Sequence, residues 1–395
     1  MDFSYSKEEL AFRHELGAWL ASAKQKGLIP PVEQGTFDER VEAGRAWQRR
    51  LYDGGWCGVH WPAAYGGRGA GLIEQIIFQE ELAAAGSPQL VNLLALSMVG
   101  PLIIDHGSEE QKKRYLEPIL MATEIWCQGF SEPGAGSDLA AVSTRAVRQG
   151  DRYVLSGQKV WTSYAQYADL CMLLARTDSE APKHKGLSLM VVDMKQPGVE
   201  VRPLTQMNGD REFNEVFFDG AELPCENLIG AENDGWTMAV AMLMYERATL
   251  TFQRQLQSRV ALNALIAMAG REGPAGRPAD DPLLRQRVAA AYTESEALRL
   301  TALRHLTGQL GGGKPGPEGS MEKLFWSEMF QRMLETAMTA LGPYGQLSAE
   351  DPLAPGGGRW PHLYLYSRGR TIAAGTSEIQ RSIIAQRVLG LPKDR

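Results

Sequence analysis

The 395-residue sequence predicts a multi-domain α+β protein. We expect an N-terminal α-helical domain over 1–124, a small central antiparallel β-barrel or sandwich over 125–232, and a C-terminal four-helix bundle over 233–395. Three observations predict this order: helical spacing of apolar residues up to about residue 124, short β-rich runs after it, and a return of the helical period near Asn233. The chain is also longer than one hydrophobic core usually supports, so several domains are expected.

The first domain is read from helix-start signals and apolar spacing. Ser6 and Glu9 have the spacing of a capping box, and apolar side chains follow at Phe12, Leu16 and Leu20. Residues 37–52 and 72–121 continue the helical pattern, with a Gly-rich turn at 65–71 between them. Nothing in this part of the sequence indicates a strand.

The central and C-terminal domains differ in the period of their apolar residues. Turn signals separate β-rich runs at 152–155, 170–175, 187–193, 199–203 and 215–219, and the β region is predicted to end near 228–230. Helical segments are then expected at roughly 234–271, 282–310, 318–342 and 375–390. The Gly-rich tract 311–317 follows a helix and contains two prolines, so it is interpreted as a loop and not as a dinucleotide-binding turn.

Composition excludes several classes of protein. The net charge of −6 and the lack of a Lys/Arg-rich run argue against nucleic-acid binding. The four cysteines lie far apart without metal-ligand spacing, so neither a zinc site nor a disulfide framework is expected. The N-terminus lacks a secretory pattern, and the longest apolar tract, 91–104, is too short to span a membrane. A soluble, cytoplasmic protein is therefore expected.

Two segments carry the strongest functional signal, 128–138 and 157–163. Pro133 fixes one backbone angle, while Gly134 and Gly136 permit a positive φ and remove side-chain bulk. The second segment alternates like a strand and places Trp161 two residues from the hydroxyl of Ser163. Exposed hydrogen-bond donors beside a flat indole suit a planar ligand that is rich in acceptors.

These two segments, together with the C-terminal Gly-Thr-Ser-Glu-Ile-Gln-Arg at 375–381, closely resemble the acyl-CoA dehydrogenases over nearly the whole chain. The resemblance implies a flavoprotein with FAD as cofactor and an acyl-CoA as substrate, acting in fatty acid or sterol side-chain β-oxidation. It also implies electron-transfer flavoprotein as the electron acceptor. A homodimer or homotetramer is expected, and a hetero-oligomer is the alternative.

The resemblance also assigns residues to the cofactor and substrate. The hydroxyl of Ser131 would donate to the flavin, Trp161 would pack against its ring system, and Ser163 would reach N5. Arg271 would contact the diphosphate of a neighbouring subunit's FAD. The full set of expected cofactor contacts is Gln128, Phe130, Ser131, Gly136, Ser137, Trp161, Thr162, Ser163, Arg271, Thr376, Ser377 and Glu378, and the expected substrate contacts are Ser137, Arg247, Ala374 and Gly375.

The catalytic base is where the chain departs from many members of the family. Those members carry a glutamate immediately before the Gly-Thr-Ser segment, and this chain has Ala374 there. Other members carry it before an arginine on the first helix after the β domain, which here is Glu246, followed by Arg247. Because that helix is otherwise apolar from Gly235 to Ala248, burial would raise the pKa of Glu246 and strengthen it as a base.

The two alanines at 373 and 374 leave room beside the reacting carbons, and we expect an acyl group that is branched or bulky there. Two alternatives to a self-sufficient dehydrogenase stay open. The first alternative is a flavin-binding partner subunit of a hetero-oligomeric acyl-CoA dehydrogenase. The second is a flavin oxidase or monooxygenase on the same fold.

Overall fold

A computed structural model describes residues 4–31, 35–273, 276–311 and 316–392; the side chains of 246–252 are outside this description. The chain forms two compact units. The first extends to Glu246 and the second begins at Arg247. The three-domain division stays a prediction.

Five α-helices come before the sheet in the described part of the first unit. Their bounds are α1 Lys7–Gln25, α2 Phe37–Asp53, α3 Leu72–Ala85, α4 Gly100–His106 and α5 Glu109–Met121. The predicted capping box at α1 is confirmed: Ser6 Oγ accepts from the amide of Glu9 at 3.1 Å, and the Glu9 carboxylate accepts from the amide of Ser6 at 2.6 Å. A π-helical turn, Ala95–Val99, leads directly into α4.

A β-sheet follows the helices, as the sequence predicted. Its strands are β1 Trp126–Gly129, β2 Arg145–Gln149, β3 Arg152–Ser163, β4 Leu170–Arg176, β5 Leu187–Asp193, β6 Val199–Pro203, β7 Phe213–Pro224 and β8 Leu228–Ile229. The order is β6-β7-β3-β2-β4-β5-β8, with β1 paired to β4. Most pairings are antiparallel, but β1 and β2 both run parallel to β4. β1 and β2 were not among the predicted runs because they are short, and most of β2 is polar and exposed.

The sheet separates two hydrophobic cores within the first unit. β4 and β5 are buried on both faces, so their alternate residues enter different cores. Met172 and Leu189 pack with the helices, whereas Leu173 and Met190 pack with residues of β3 and β7. The sheet therefore folds back on itself around the second core, in agreement with the predicted barrel or sandwich.

The second unit is helical. α6 (Gly235–Ala269) continues into it from the first unit, followed by α7 Pro282–Leu310, α8 Gly319–Leu341, α9 Arg359–Arg370 and α10 Ser377–Ile383. The interpretation of 311–317 falls partly on residues 312–315, which lie outside the described residues. α9 was not predicted, because three glycines come directly before it and Pro361 interrupts its sequence pattern; proline is compatible with a helix's first turn. Trp360 of α9 packs into the core of this unit.

None of the helices in the described part of the chain combines the length and the apolarity needed to cross a membrane.

Candidate functional site

A β-bulge in β3 organises the part of the candidate site that lies in the first unit. The pairing of β3 with β7 shifts register between Lys159 and Thr162, so Val160 and Trp161 have no partner on β7. The amide of Val160 instead donates to the carbonyl of Ser131 at 2.9 Å. Bulges commonly reorient a side chain next to a functional site. This one joins the two segments that the sequence singled out.

The bulge also turns Trp161 outward. Lys159 is fully buried and Thr162 is 1% exposed, yet Trp161 between them is 61% exposed. Its φ is +60°, a conformation that bulky side chains rarely adopt and that costs about 1–3 kcal/mol. Its ring meets Phe213 edge to face, with centroids 6.1 Å apart. The protein therefore holds a large aromatic surface exposed, at the expense of backbone strain.

Thr162 and Ser163 follow at the end of β3. The hydroxyl of Thr162 is buried and has no hydrogen-bond partner among the described residues. Ser163 pairs with Phe213 of β7 and is partly exposed. A buried hydroxyl without a partner is uncommon in folded proteins, and each one calls for an explanation such as a missing ligand.

The loop after β1 is a tight turn. Glu132 and Ala135 exchange two backbone hydrogen bonds of 3.0 Å, which leaves Gly134 and Gly136 exposed. Neither glycine adopts the positive φ that its residue type permits. A Cβ at Gly134 or Gly136 would meet no protein atom within 4 Å. The space above the loop is therefore open at both glycines.

The other predicted residues of this loop lie on both sides of the turn. Gln128 is in β1 opposite Met172 of β4, and Phe130 is buried. Ser131 is partly exposed, and Ser137 is exposed. Gln128, Phe130 and Ser131 thus belong to one strand and its exit, and Ser131 is bonded directly to the bulge that carries Trp161.

A buried ion pair beneath this loop was missed by the sequence reasoning. Lys159 Nζ lies 2.8 Å from Glu132 Oε1 and donates to the carbonyl of Phe130 at 3.1 Å. Ser143 and Thr144 donate to the same carboxylate through their amides at 2.7 and 2.9 Å. Glu132 lies in the segment 128–138 and Lys159 in the segment 157–163, but residue type alone did not show that they are buried together.

Burial and pairing oppose each other in the pKa values of this pair. Burial would raise the pKa of Glu132, but Lys159 and the hydrogen-bond donors bring it down to about 2. Burial lowers the pKa of Lys159 to about 8, against the opposing effect of Glu132. The carboxylate and the ammonium are therefore both charged at neutral pH.

A buried polar network fixes the start of β1. Asn92 is fully buried; its Oδ1 accepts from the amide of Trp126 at 3.0 Å, and its Nδ2 donates to the carbonyl of Glu124 at 2.6 Å. Gln48 of α2 accepts from the amide of Asn92 at 3.0 Å. These bonds set the position from which β1 leads to Ser131.

In the second unit, residues 374–376 form a turn between α9 and α10. Ala374 and Gly375 both have positive φ, at +53° and +90°. Their carbonyls accept from Gln380 Nε2 at 2.9 and 3.2 Å, and buried Lys323 also donates to the carbonyl of Gly375 at 2.6 Å. The carbonyls of this turn are thus held by side chains of α8 and α10.

The predicted residues that follow the turn start α10. Thr376 caps the helix by accepting from the amide of Ile379 at 3.3 Å. Ser377 is buried, and its hydroxyl has no partner among the described residues. The amide of Glu378 and the hydroxyl of Thr376 lower the pKa of the Glu378 carboxyl. These three residues line an open cleft of about 470 Å³, together with residues of α8 and Arg381.

Three predicted residues lie outside the two segments described above. The side chains of Glu246 and Arg247 lie outside the described residues, although both positions are in helix α6. Arg271 is exposed, two residues beyond the end of α6. Next to Glu246, the hydroxyl of Tyr245 is hydrogen-bonded to Asp105 of α4, and burial together with this bond raises the pKa of Tyr245.

Three family profiles match the chain in succession. They are described as acyl-CoA dehydrogenase, N-terminal domain, over residues 6–123; middle domain, over 127–221; and C-terminal domain, over 233–389. The chain is 41% identical over 389 residues to acyl-CoA dehydrogenase IpdE1 of Mycobacterium tuberculosis, which covers 97% of this chain and 98% of the relative.

Two solved structures are similar over the full length of both chains. The ChsE4-ChsE5 complex from Mycobacterium tuberculosis has a TM-score of 0.85 and 31% identity, covering 100% of each chain. A structure described as the Tcur3481-Tcur3483 steroid ACAD has a TM-score of 0.86 and 30% identity, also covering 100% of each chain.

Proposed function

Since the chain belongs to the acyl-CoA dehydrogenase family, we propose that it uses FAD to dehydrogenate an acyl-CoA thioester between Cα and Cβ. The members of this family are oxidoreductases and are in general flavin-dependent. The observation that carries the proposal is the arrangement around the β3 bulge. There an exposed, strained Trp161 stands beside a buried Thr162 hydroxyl that has no partner among the described residues, and the amide of Val160 joins this bulge to a loop with open space above it.

The residues present fit an isoalloxazine ring and its substituents. Trp161 offers a flat apolar face, and Thr162 and Ser131 offer hydroxyls to ring heteroatoms. The space above Gly134 and Gly136 lets a ligand approach the backbone closely. In the second unit, Ser377 presents another buried hydroxyl without a partner among the described residues. Arg271 remains our candidate for a contact with the diphosphate of a second subunit's FAD.

In the proposed reaction the Glu246 carboxylate takes the proton from Cα, and the electron pair of that bond forms the Cα–Cβ double bond. Bound FAD supplies the acceptor at N5 for the hydride that leaves Cβ. The amide of Ala374 donates to the thioester carbonyl, which makes the α-proton more acidic. We assign Ser137, Arg247 and Gly375 to substrate contacts and Ala374 to a backbone role without acid–base function.

Replacing the base tests the mechanism separately from cofactor binding. Glu246→Gln is expected to retain bound FAD, visible in the absorbance spectrum, while acyl-CoA no longer bleaches that spectrum. The reason is that an amide of the same shape does not accept the α-proton. Near-wild-type turnover in this variant would show that another group is the base.

The substrate class is proposed from the small residues at 373 and 374, which leave room for an acyl group that is branched near Cα or as bulky as a steroid side chain. One structural neighbour is itself described as a steroid ACAD. Turnover of straight-chain thioesters should be compared with turnover of α-methyl and steroid-side-chain thioesters. A clear preference for straight chains would contradict the proposal.

A second candidate function is that of a partner subunit in a hetero-oligomer. Both structural neighbours named above are described by pairs of chains, ChsE4-ChsE5 and Tcur3481-Tcur3483. If this chain needs such a partner, it is expected to purify alone without flavin colour or activity. If it is self-sufficient, as we favour, it purifies yellow as a homodimer or homotetramer and passes electrons to electron-transfer flavoprotein.

A further inference from the structure

We propose that Lys159 is a positioning residue for the cofactor: its ammonium group holds the 130–132 segment against β3 so that Ser131, Trp161 and Thr162 meet one ligand together. This inference rests on the proposed FAD binding. It goes beyond it by assigning a role to a residue that does not contact the cofactor, since Lys159 is enclosed by protein and does not reach the exposed side of the loop.

The side chain of Lys159 is enclosed by protein and contacts only protein groups in the described part of the chain. It is fully buried, which is rare for lysine, and its ammonium bonds to the Phe130 carbonyl and the Glu132 carboxylate. Both acceptors belong to the segment that leads β1 into the tight turn. The lysine of β3 therefore connects this strand to residues 130–132 of the neighbouring loop.

Glu132 extends this connection to a third segment. Its second oxygen accepts from the amide and the hydroxyl of Ser143 at 2.7 and 2.8 Å, and its first accepts from the amide of Thr144 at 2.9 Å. These residues come directly before β2. The carboxylate is thus a junction between the loop, the start of β2 and strand β3, and Lys159 is its only cationic partner among the described residues.

The ion pair lies next to the bulge in sequence and in space. Lys159 is the last residue of β3 in register with β7 before the shift, and Val160, which follows it, bonds to Ser131. Residues 130–132 and 159–160 are therefore joined by three successive contacts. If Lys159 is removed, the bond from Val160 to Ser131 is the contact that remains, and the position of Trp161 relative to the loop is less restricted.

Stability alone is a weak explanation for this arrangement. Buried ion pairs are often no more stabilising than apolar residues of the same volume, since desolvation offsets their attraction. The pair also borders two features that folding alone would not favour, the strained exposed Trp161 and the loop with open space above it. Holding a binding surface in place explains both.

The test separates position from stability by measuring FAD affinity and the unfolding of the flavin-free protein in parallel. Lys159→Met is expected to weaken FAD binding about tenfold, because binding must then order the 130–132 segment, and to lower the unfolding midpoint. The double variant Lys159→Met with Glu132→Gln leaves no unpaired charge. It should recover most of the midpoint while FAD binding stays weak, an outcome that a purely structural role does not give.

Two further variants keep the test decisive. Ser143→Ala removes one donor to Glu132 at an exposed residue, so it is expected to fold and to weaken FAD binding by a smaller factor in the same direction. Glu222→Gln is the matched control. It removes an exposed ion pair between Glu222 of β7 and Arg152 of β3, the strand that carries Lys159, with N···O 3.2 Å, and should leave FAD affinity unchanged.

The outcomes distinguish this inference from the proposed function. If the wild-type protein binds FAD tightly and the Lys159 and Ser143 variants bind it equally well, the positioning role is overturned and the proposed function stands. If the double variant recovers FAD affinity together with its midpoint, Lys159 acts through stability and the inference is also overturned. If the wild-type protein binds no FAD, both proposals fail.

Discussion

Replacing Thr162 by valine gives the most direct measure of what the β3 bulge is for. Valine has nearly the shape of threonine and carries a methyl group in place of the hydroxyl. The Thr162 side chain is 1% exposed, and its hydroxyl has no partner among the described residues. A buried polar group without a hydrogen bond costs about 1–3 kcal/mol. We therefore expect the flavin-free Thr162→Val variant to be more stable than the wild type, by about 1 kcal/mol or more.

Cofactor binding should change in the opposite sense. If the hydroxyl donates to bound FAD, the variant loses a neutral hydrogen bond worth about 0.5–1.5 kcal/mol, which weakens FAD binding about two- to tenfold. The assays are urea unfolding of the flavin-free protein, followed by circular dichroism, and titration with FAD, followed by flavin fluorescence.

Thr336→Val is the matched control for this experiment. Thr336 is similarly buried, but its hydroxyl donates to the carbonyl of Arg332 at 2.9 Å. Valine at that position should lower stability by about 0.5–1.5 kcal/mol and leave FAD affinity unchanged. The reasoning is refuted if Thr162→Val destabilises the flavin-free protein as Thr336→Val does, or if it binds FAD as tightly as the wild type.

Three other changes test the scaffold of the site. Asn92→Ala leaves the buried amide of Trp126 without its acceptor and should lower the free energy of unfolding by about 2–4 kcal/mol in urea titrations; a loss below 0.5 kcal/mol (about the error of such titrations) would contradict the network. Gly129→Ala places a Cβ 2.9 Å from Cys171 Sγ and should cost about 1–3 kcal/mol, whereas unchanged stability would show that β1 shifts freely. The pKa of Glu132 is lowered from 4.5 to about 2, so its contribution of about 3 kcal/mol is complete above pH 4.5 and is lost as the pH falls toward 2. Glu132→Gln should lack this part of the acid dependence. Identical acid titrations of the variant and the wild type would exclude the contribution of Glu132.

The sequence alone was enough for the fold class and the family. Apolar spacing separated the helices from the β-rich region, because helical and extended chains repeat at different periods. The motifs at 128–138, 157–163 and 375–381 were specific enough to identify the family, and the matching profiles confirm it. The capping box of α1 was also readable, since it depends on residues only three positions apart.

Other features depend on contacts between distant segments, and only the tertiary structure decided them. Sequence periodicity predicts ordinary alternation through β3, but the bond from Val160 to Ser131 competes with the ladder to β7 and produces the bulge. The same contact decides that Lys159 points inward and Trp161 outward, which residue types two positions apart on a strand do not reveal. The open space above Gly134 and Gly136, and the absence of a positive φ at either, likewise became known only from the structure. Burial, pairing and strain are properties of the assembled chain, and for that reason the ion pair of Glu132 and Lys159 was found only in the structure.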